Sequence, residues 1–356
     1  MRVLLTADVL GGVWTHSLEL ARGLADEGVE VVLVLEGGEP ERSQLEELAS
    51  VPLNGWWVAP GKVEWMTAPW DDVERAGAVL AAAAGEVEPD VVHVNSYSHA
   101  ARGWKVPVVL GAHSCVLSWW RAVHGTDAPA QWATYRRRVE AGLAAADVVV
   151  TPTQALLEQM RSIYAADTRW RVVPNGLRLD PPRRPKEPLI AAAGRLWDPA
   201  KNIALLERAA PRLAWPIVAA GGEVGDGRMR GVGRLGRPQL HELFARAAIF
   251  CAPARYEPFG LAALEAARHG CALVLGDIAS MREVWGDAAA YVAPDDEDAL
   301  AEMLNRLTED EPLRVRMADA ARRRAEWFSR ERMSRAYIRL YRELSAARAR
   351  PAETAS

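Results

Sequence analysis

CAPARYEPFGLAALEAARHG, residues 251–270, is the stretch on whose reading the fold turns. The apolar run Ala248–Cys251 leads into it and ends at Pro253, a loop carries Glu257, and a helix opens at about Gly260. A second apolar run, Ala272–Leu275, follows that helix, so the segment reads as strand, helix, strand. Strands that are apolar along their whole length are buried on both faces, as in a parallel sheet covered by helices.

The same alternation extends in both directions. Upstream, Leu189–Ala193 and Ile217–Ala220 read as strands, with helices over Lys201–Arg212, Pro238–Arg246 and Leu261–His269. Downstream, Asp298–Leu307, Pro312–Phe328 and Arg332–Leu344 read as closing helices, and Ala346–Ser356 as a frayed tail. Toward the N-terminus, Val3–Thr6, Val29–Leu35, Val91–Val94, Val106–Leu110 and Val148–Val150 are strands. Ser17–Asp26, Val73–Ala84 and Arg136–Ala145 are helices between them, and Trp56–Met66 is a loop or an edge strand. The pattern breaks at RLDPPRRPKEP, residues 178–188, whose four prolines exclude a helix or a central strand, so it reads as a linker. The expected fold is therefore α/β: two doubly wound, Rossmann-like domains facing across a cleft, with boundaries at 1–180, 181–188 and 189–330. Residues 331–356 form a C-terminal helix and tail. Ligands of such sheets bind at the carboxyl ends of the strands.

Composition narrows the function. The chain of 356 residues is half hydrophobic and one quarter charged, with a net charge of -4, which argues against nucleic acid as the main partner. Cys115, Cys251 and Cys271 suit neither a disulfide framework nor a metal site, so a reduced, cytoplasmic compartment is expected. The N-terminus reads as a first strand and loop. No run approaches the roughly 20 apolar residues of a membrane span, which leaves room only for peripheral membrane contact.

Several constellations could carry chemistry. Gly11-Gly12 lies between the first strand and its helix, where backbone amides can approach a phosphate, although a tight turn needs the same residues. Gly194-Arg195-Leu196 with Lys201 places two cations after a strand, suited to a diphosphate or simply solvated. Glu257 and Glu265 flank the start of a helix, and Glu265 lies among alanines and leucines, where a buried carboxylate needs partners. His113 follows a strand at its carboxyl end, as a ligand contact or a satisfied structural histidine. Gly231 to Gly236 matches GxGxxG formally but lies far from a first strand, so a dinucleotide site is not expected. Asp296-Glu297-Asp298 has metal-binding spacing, yet its place before a helix reads as capping, and no metal is expected. Nine tryptophans precede residue 150, and Trp14, Trp119 and Trp120 follow strand ends, where aromatic faces suit an acceptor.

Taken in order, Gly11-Gly12-Val13, His113, Val173-Pro174-Asn175-Gly176, Gly194-Arg195-Leu196 with Lys201, and Glu257 with Glu265 resemble the retaining GT-B glycosyltransferases of family four. That resemblance implies an N-terminal acceptor-binding domain, a C-terminal nucleotide-sugar domain, and a last helix packing back toward the N-terminal domain. It implies a retaining hexosyltransferase needing no metal and no cofactor, with a UDP- or GDP-sugar donor and a hydroxyl acceptor (glycan, lipid or small aglycone). His113, Glu257, Arg195 and Lys201 would be catalytic. Gly11, Gly12, Arg195, Lys201, Leu235, Glu257, Phe259, Gly260, Leu261 and Glu265 would bind the donor: Glu265 through the ribose, and Glu257 with the amides of Phe259 to Leu261 through sugar and phosphates. Relatives commonly have Asp after the histidine, where this chain has Ser114, so the partner of His113 is open. A non-catalytic sugar-nucleotide-binding protein and a GT-B sugar-nucleotide epimerase are the alternatives.

Overall fold

The structure is a computed structural model that describes residues 1–223 and 228–349. It divides into two compact units, Met1–Ser118 with Asp127–Leu177 and the chain from Arg330, and Trp119–Thr126 with Arg178–Ser329.

The first unit is built on seven strands: β1 (Arg2–Asp8), β2 (Glu30–Glu36), β3 (Gly55–Ala59), β4 (Val91–Val94), β5 (Val108–Gly111), β6 (Val148–Thr151) and β7 (Trp170–Val172). Their order is β3-β2-β1-β4-β5-β6-β7, every pairing parallel. The valine and leucine runs are buried throughout, as strands covered on both faces must be. Residues 55–59 of the ambiguous Trp56–Met66 stretch are the edge strand, with Trp56 exposed.

The second unit has six strands: β8 (Glu187–Ala193), β9 (Ile217–Ala220), β10 (Met229–Gly231), β11 (Ala247–Ala252), β12 (Ala272–Gly276) and β13 (Ala290–Val292). Their order is β10-β9-β8-β11-β12-β13, again parallel. In each sheet the order reverses beside the first strand, and ligands of open parallel sheets bind outside the carboxyl ends of the strands flanking such a reversal.

The proline-rich segment departs from expectation at its end. Strand β8 starts at Glu187 and takes Pro188 into the middle of the sheet. The β8–β11 register shifts between Ala247 and Ile249, beside Pro188, and this irregularity accommodates the missing N–H. The first expected domain is also interrupted, because Trp119–Thr126, the end of the helix Val116–His124, groups with the second unit.

The helix Arg330–Ala349 belongs to the first unit and continues through the start of the expected tail; residues 350–356 lie outside the described residues. Its Met333, Tyr337, Ile338, Tyr341 and Leu344 join the core cluster formed by β1, β2 and the helix Gly12–Asp26. The two helices approach so closely that Gly23 sits directly under Ser334. Arg330 Nε donates to buried Glu19 at 2.8 Å, and the Tyr341 hydroxyl meets His93 Nδ1 at 2.7 Å. The second unit has its own core around β8, β9 and the helices Ile203–Ala209 and Glu297–Glu309.

Close backbone approach explains one glycine in a helix interior. A Cβ on Gly142, in the helix Ala133–Ala145, would collide with the Tyr97 carbonyl oxygen. Helix propensity alone favours alanine over glycine there by up to about 1 kcal/mol, whereas overpacking costs about 1–3 kcal/mol. Gly142→Ala should therefore destabilise the protein, with a lowered urea midpoint; a raised midpoint would show that the contact relaxes freely.

Candidate functional site

Strand β8 ends at Ala193, and Gly194 follows at φ 147, a backbone that favours glycine. Arg195 and Asp198 then pair, with Nη2 donating to Oδ2 at 3.0 Å. Asp198 is buried, so its charge needs partners: Oδ1 accepts the Ala200 amide at 2.9 Å and the Trp119 indole N–H at 3.0 Å. Lys201 does not begin the helix. It closes a short 3-10 turn, Pro199–Lys201, and Asn202 at φ 55 starts the helix Ile203–Ala209. The Asn202 amide donates to the carbonyls of Pro253 (2.9 Å) and Pro294 (2.7 Å), tying this loop to those after β11 and β13.

The pinned loop brings Lys201 Nζ to 2.5 Å from Glu257 Oε2, after β11. The other oxygen of Glu257 accepts the Gly260 amide at 3.0 Å. Burial pushes this carboxyl up, but Lys201 and the amides of Phe259 and Gly260 outweigh it and hold it below the ordinary glutamate range. Two amides expected to face a phosphate thus donate to a carboxylate here. The Phe259 side chain is buried against Phe328 with ring centroids 5.4 Å apart, and Gly260 at φ 86 precedes the helix Leu261–Arg268. Ser280 Oγ donates to the Glu257 carbonyl at 2.6 Å, which fixes the loop from behind.

Glu265 is buried in that helix, and its partners come from the helix Arg237–Arg246: His241 Nε2 at 3.4 Å and Arg237 Nε at 3.7 Å, both to Oε1. Sequence reasoning passed over Arg237 and His241, although their i,i+4 spacing just after a glycine-rich loop places them on one helix face. Half-buried Leu235 lies in that loop, two residues ahead of Arg237. Asp296-Glu297-Asp298 serves the helix and the surface: Asp296 Oδ1 accepts the Ala299 amide at 2.8 Å, Glu297 pairs with Arg208 at 2.9 Å, and Asp298 with Arg212 at 2.5 Å.

In the first unit, Gly11 at φ 80 caps an exposed helix start at Gly12, and the first turn carries no acidic side chain. His113, two residues beyond β5, finds its partner in Asn95, with Nε2 and Oδ1 3.0 Å apart. Asn95 Nδ2 donates to the Thr6 carbonyl at 2.6 Å, so its Oδ1 is the acceptor and His113 carries its proton on Nε2. Nδ1 is left as an acceptor. Burial holds the imidazole neutral, with its pKa lowered to about 4. The sequence left this partner open; it lies one strand away, after β4. The aromatic residues divide. Trp14 is buried in the core with its N–H on Glu47 at 2.9 Å, so it lines no acceptor surface. Trp119 and Trp120 are half-buried, and both pack against His124, Trp119 edge to face with centroids 5.6 Å apart and Trp120 tilted at 4.3 Å.

Two family models cover successive parts of the chain: Glycosyltransferase Family 4 over residues 10–181 and Glycosyl transferases group 1 over residues 178–324. A D-inositol 3-phosphate glycosyltransferase of Xylanimonas cellulosilytica is 26% identical over 404 residues, spanning 96% of this chain and 93% of that protein. A phosphatidyl-myo-inositol mannosyltransferase of Mycolicibacterium smegmatis is 27% identical over 386 residues, with 96% and 92% covered. Among solved structures, a sucrose-phosphate synthase of Thermosynechococcus elongatus superposes with a TM-score of 0.78 at 18% identity, covering 98% of this chain and all of that one.

The Lys201–Glu257 pair sets a pH dependence. Because the carboxyl is held low in the folded state, the pair's contribution is fully present above the ordinary glutamate value, about 4.3. It is lost as pH falls through the lower folded value. Lys201→Met should cost most near neutrality, and the urea-unfolding gap to the wild type should narrow steadily below about pH 4. A gap independent of pH would mean that the pair contributes nothing to stability.

Proposed function

Because this chain belongs to the GT-B glycosyltransferases of the GT4 type, we propose that it moves a hexose from a UDP- or GDP-sugar to a hydroxyl acceptor, with retention and without a metal ion. The observation carrying this reading is the pair of cations in the loop after β8, one of them met by a carboxylate from the loop after β11. Arg195 is held by Asp198 and Lys201 by Glu257, so both are positioned before any anion arrives.

As the bond from the anomeric carbon to the diphosphate breaks, negative charge collects on the departing phosphate, where Arg195 and Lys201 offset it. The acceptor oxygen forms the new bond on the same face of the sugar, and its proton passes to a departing phosphate oxygen. Glu265 takes the ribose hydroxyls, oriented by Arg237 and His241, and Leu235 packs beside the nucleoside. Glu257 meets the sugar hydroxyls, and the Leu261 amide lies with the helix start it faces. Gly11 and Gly12 offer the diphosphate an uncapped helix N-terminus. His113, neutral and with Nδ1 free to accept, suits a hydroxyl of the transferred hexose. Trp120 remains the aromatic candidate for the acceptor. Cys115, Cys251 and Cys271, buried and in no disulfide, fit a reduced cytoplasmic setting, and no helix among the described residues is long and apolar enough to cross a membrane.

A thermal-shift screen of UDP, GDP and their hexoses identifies the donor, since a specific binder raises stability by mass action. Acceptors tried first include inositol phosphates, for which one relative is named. Transfer in excess EDTA should match the untreated rate, and NMR of the product should show the donor's anomeric configuration kept. A loss that Mg²⁺ or Mn²⁺ restores, or an inverted product, would overturn this proposal. Glu265→Gln should weaken bare UDP or GDP by roughly 1.5–3 kcal/mol, the weight of one charge-assisted hydrogen bond.

A further inference from the structure

Asp198 is the most heavily engaged carboxylate of the diphosphate loop, and one of its donors comes from far along the chain. Trp119 precedes it by 79 positions and lies in the helix Val116–His124, which follows β5 of the first sheet. The segment Trp119–Thr126 nevertheless belongs to the second unit. At Asp198 the two oxygens do separate work. Oδ1 takes the Ala200 amide (2.9 Å) and the Trp119 indole N–H (3.0 Å), while Oδ2 takes Arg195 Nη2 (3.0 Å). The carboxylate is only 4% exposed, whereas the Arg195 side chain is 44% exposed. The buried member is thus the rigid one, and its plane is set by the two donors on Oδ1. An exposed guanidinium takes its direction from what it binds, and among the contacts of Arg195, which include the Trp197 ring 5.8 Å away, the Asp198 carboxylate is the buried and fixed one.

We propose that Trp119 is a positioning residue of the diphosphate site: its indole N–H fixes Asp198, and Asp198 aims Arg195 at the leaving nucleoside diphosphate. This rests on the reading of Arg195 given above. It gives Trp119 a donor-side role in place of the acceptor platform expected from its sequence, and it links the segment after β5 to the donor loop. The adjoining rings of Trp120 and His124, with centroids 6.0 and 5.6 Å from that of Trp119, hold the indole in place.

Trp119→Phe keeps an aromatic ring and removes only the donor. Calorimetric titration of the full chain with UDP and with GDP, whichever the wild type binds, should show affinity reduced about three- to tenfold, in line with one hydrogen bond to a charged group acting at one remove. The acceptor KM should stay near the wild-type value. In an Arg195→Ala background the same substitution should have no further effect, the signature of residues acting as one unit. Asp198→Asn, with the indole retained, should reproduce the loss if Trp119→Phe folds poorly. An unchanged affinity in Trp119→Phe, or losses that add to that of Arg195→Ala, would overturn the proposal, as would a rise confined to the acceptor KM. Arg195→Ala binding the nucleotide as well as wild type would instead sink the diphosphate reading, and this inference with it.

Discussion

A parallel sheet covered on both faces has nowhere to put chemistry except the ends of its strands. Every strand of both sheets here pairs in parallel, and the central strands bury nearly all of their apolar side chains. Polar groups that must meet a ligand are therefore confined to loops, and the useful loops are those where the strand order reverses. In the second unit these follow β8 and β11, and they carry Arg195, Asp198, Lys201 and Glu257. In the first they follow β1 and β4, with Asn95 and Gly11 at their ends, and His113 follows the neighbouring β5.

The loops could be soft, since loops usually are. Instead each is tied by side-chain hydrogen bonds to backbone. Asn202 reaches two other loops, Ser280 braces the Glu257 carbonyl, and Asn95 is held by Thr6 before it holds His113. Such bonds place the charges in advance. A charge aligned beforehand costs no reorganisation when the reaction develops charge of its own, which is the main advantage a protein holds over water in transfer reactions.

Buried ionisable groups follow the same economy in the first unit. His99 and Glu36 pair at 2.7 Å, both almost wholly buried, and Glu64 accepts the amides of Tyr97 and Ser98 nearby. Burial pushes the Glu64 carboxyl up and also opposes a charged His99, but the neighbouring Glu36 carboxylate prevails and raises the His99 pKa. Burial drives His16 and His93 the opposite way, His93 to about 3; the nearby His113 adds to both shifts, and at His16 a hydrogen bond with Asn175 only partly opposes it. Neutral imidazoles can stack at a 4.3 Å centroid separation where imidazolium ions would repel.

Much of this was legible in one dimension. Apolar runs of four to seven residues, separated by helical periods, determine a parallel α/β architecture because no other arrangement buries both faces of every strand. The strand–loop–helix at 251–270 places Glu257 at a strand end for the same local reason. The capping role of Asp296 was legible too, since a cap depends only on the next three residues. What tertiary structure decided is every partnership across sequence distance. Pro188 entered a central strand because a register shift opposite it relieved the lost hydrogen bond. Trp14 turned inward because its helix presents that position to the core, and Trp119 joined Asp198 because its helix ends in the other unit. Asn95, from the end of a neighbouring strand, became the partner of His113, and Arg237 and His241 arrived at Glu265 from a separate helix. Sequence records which side chains need a partner. Which one they obtain depends on how strands and helices from distant parts of the chain are set side by side, and that is decided only when the sheets form.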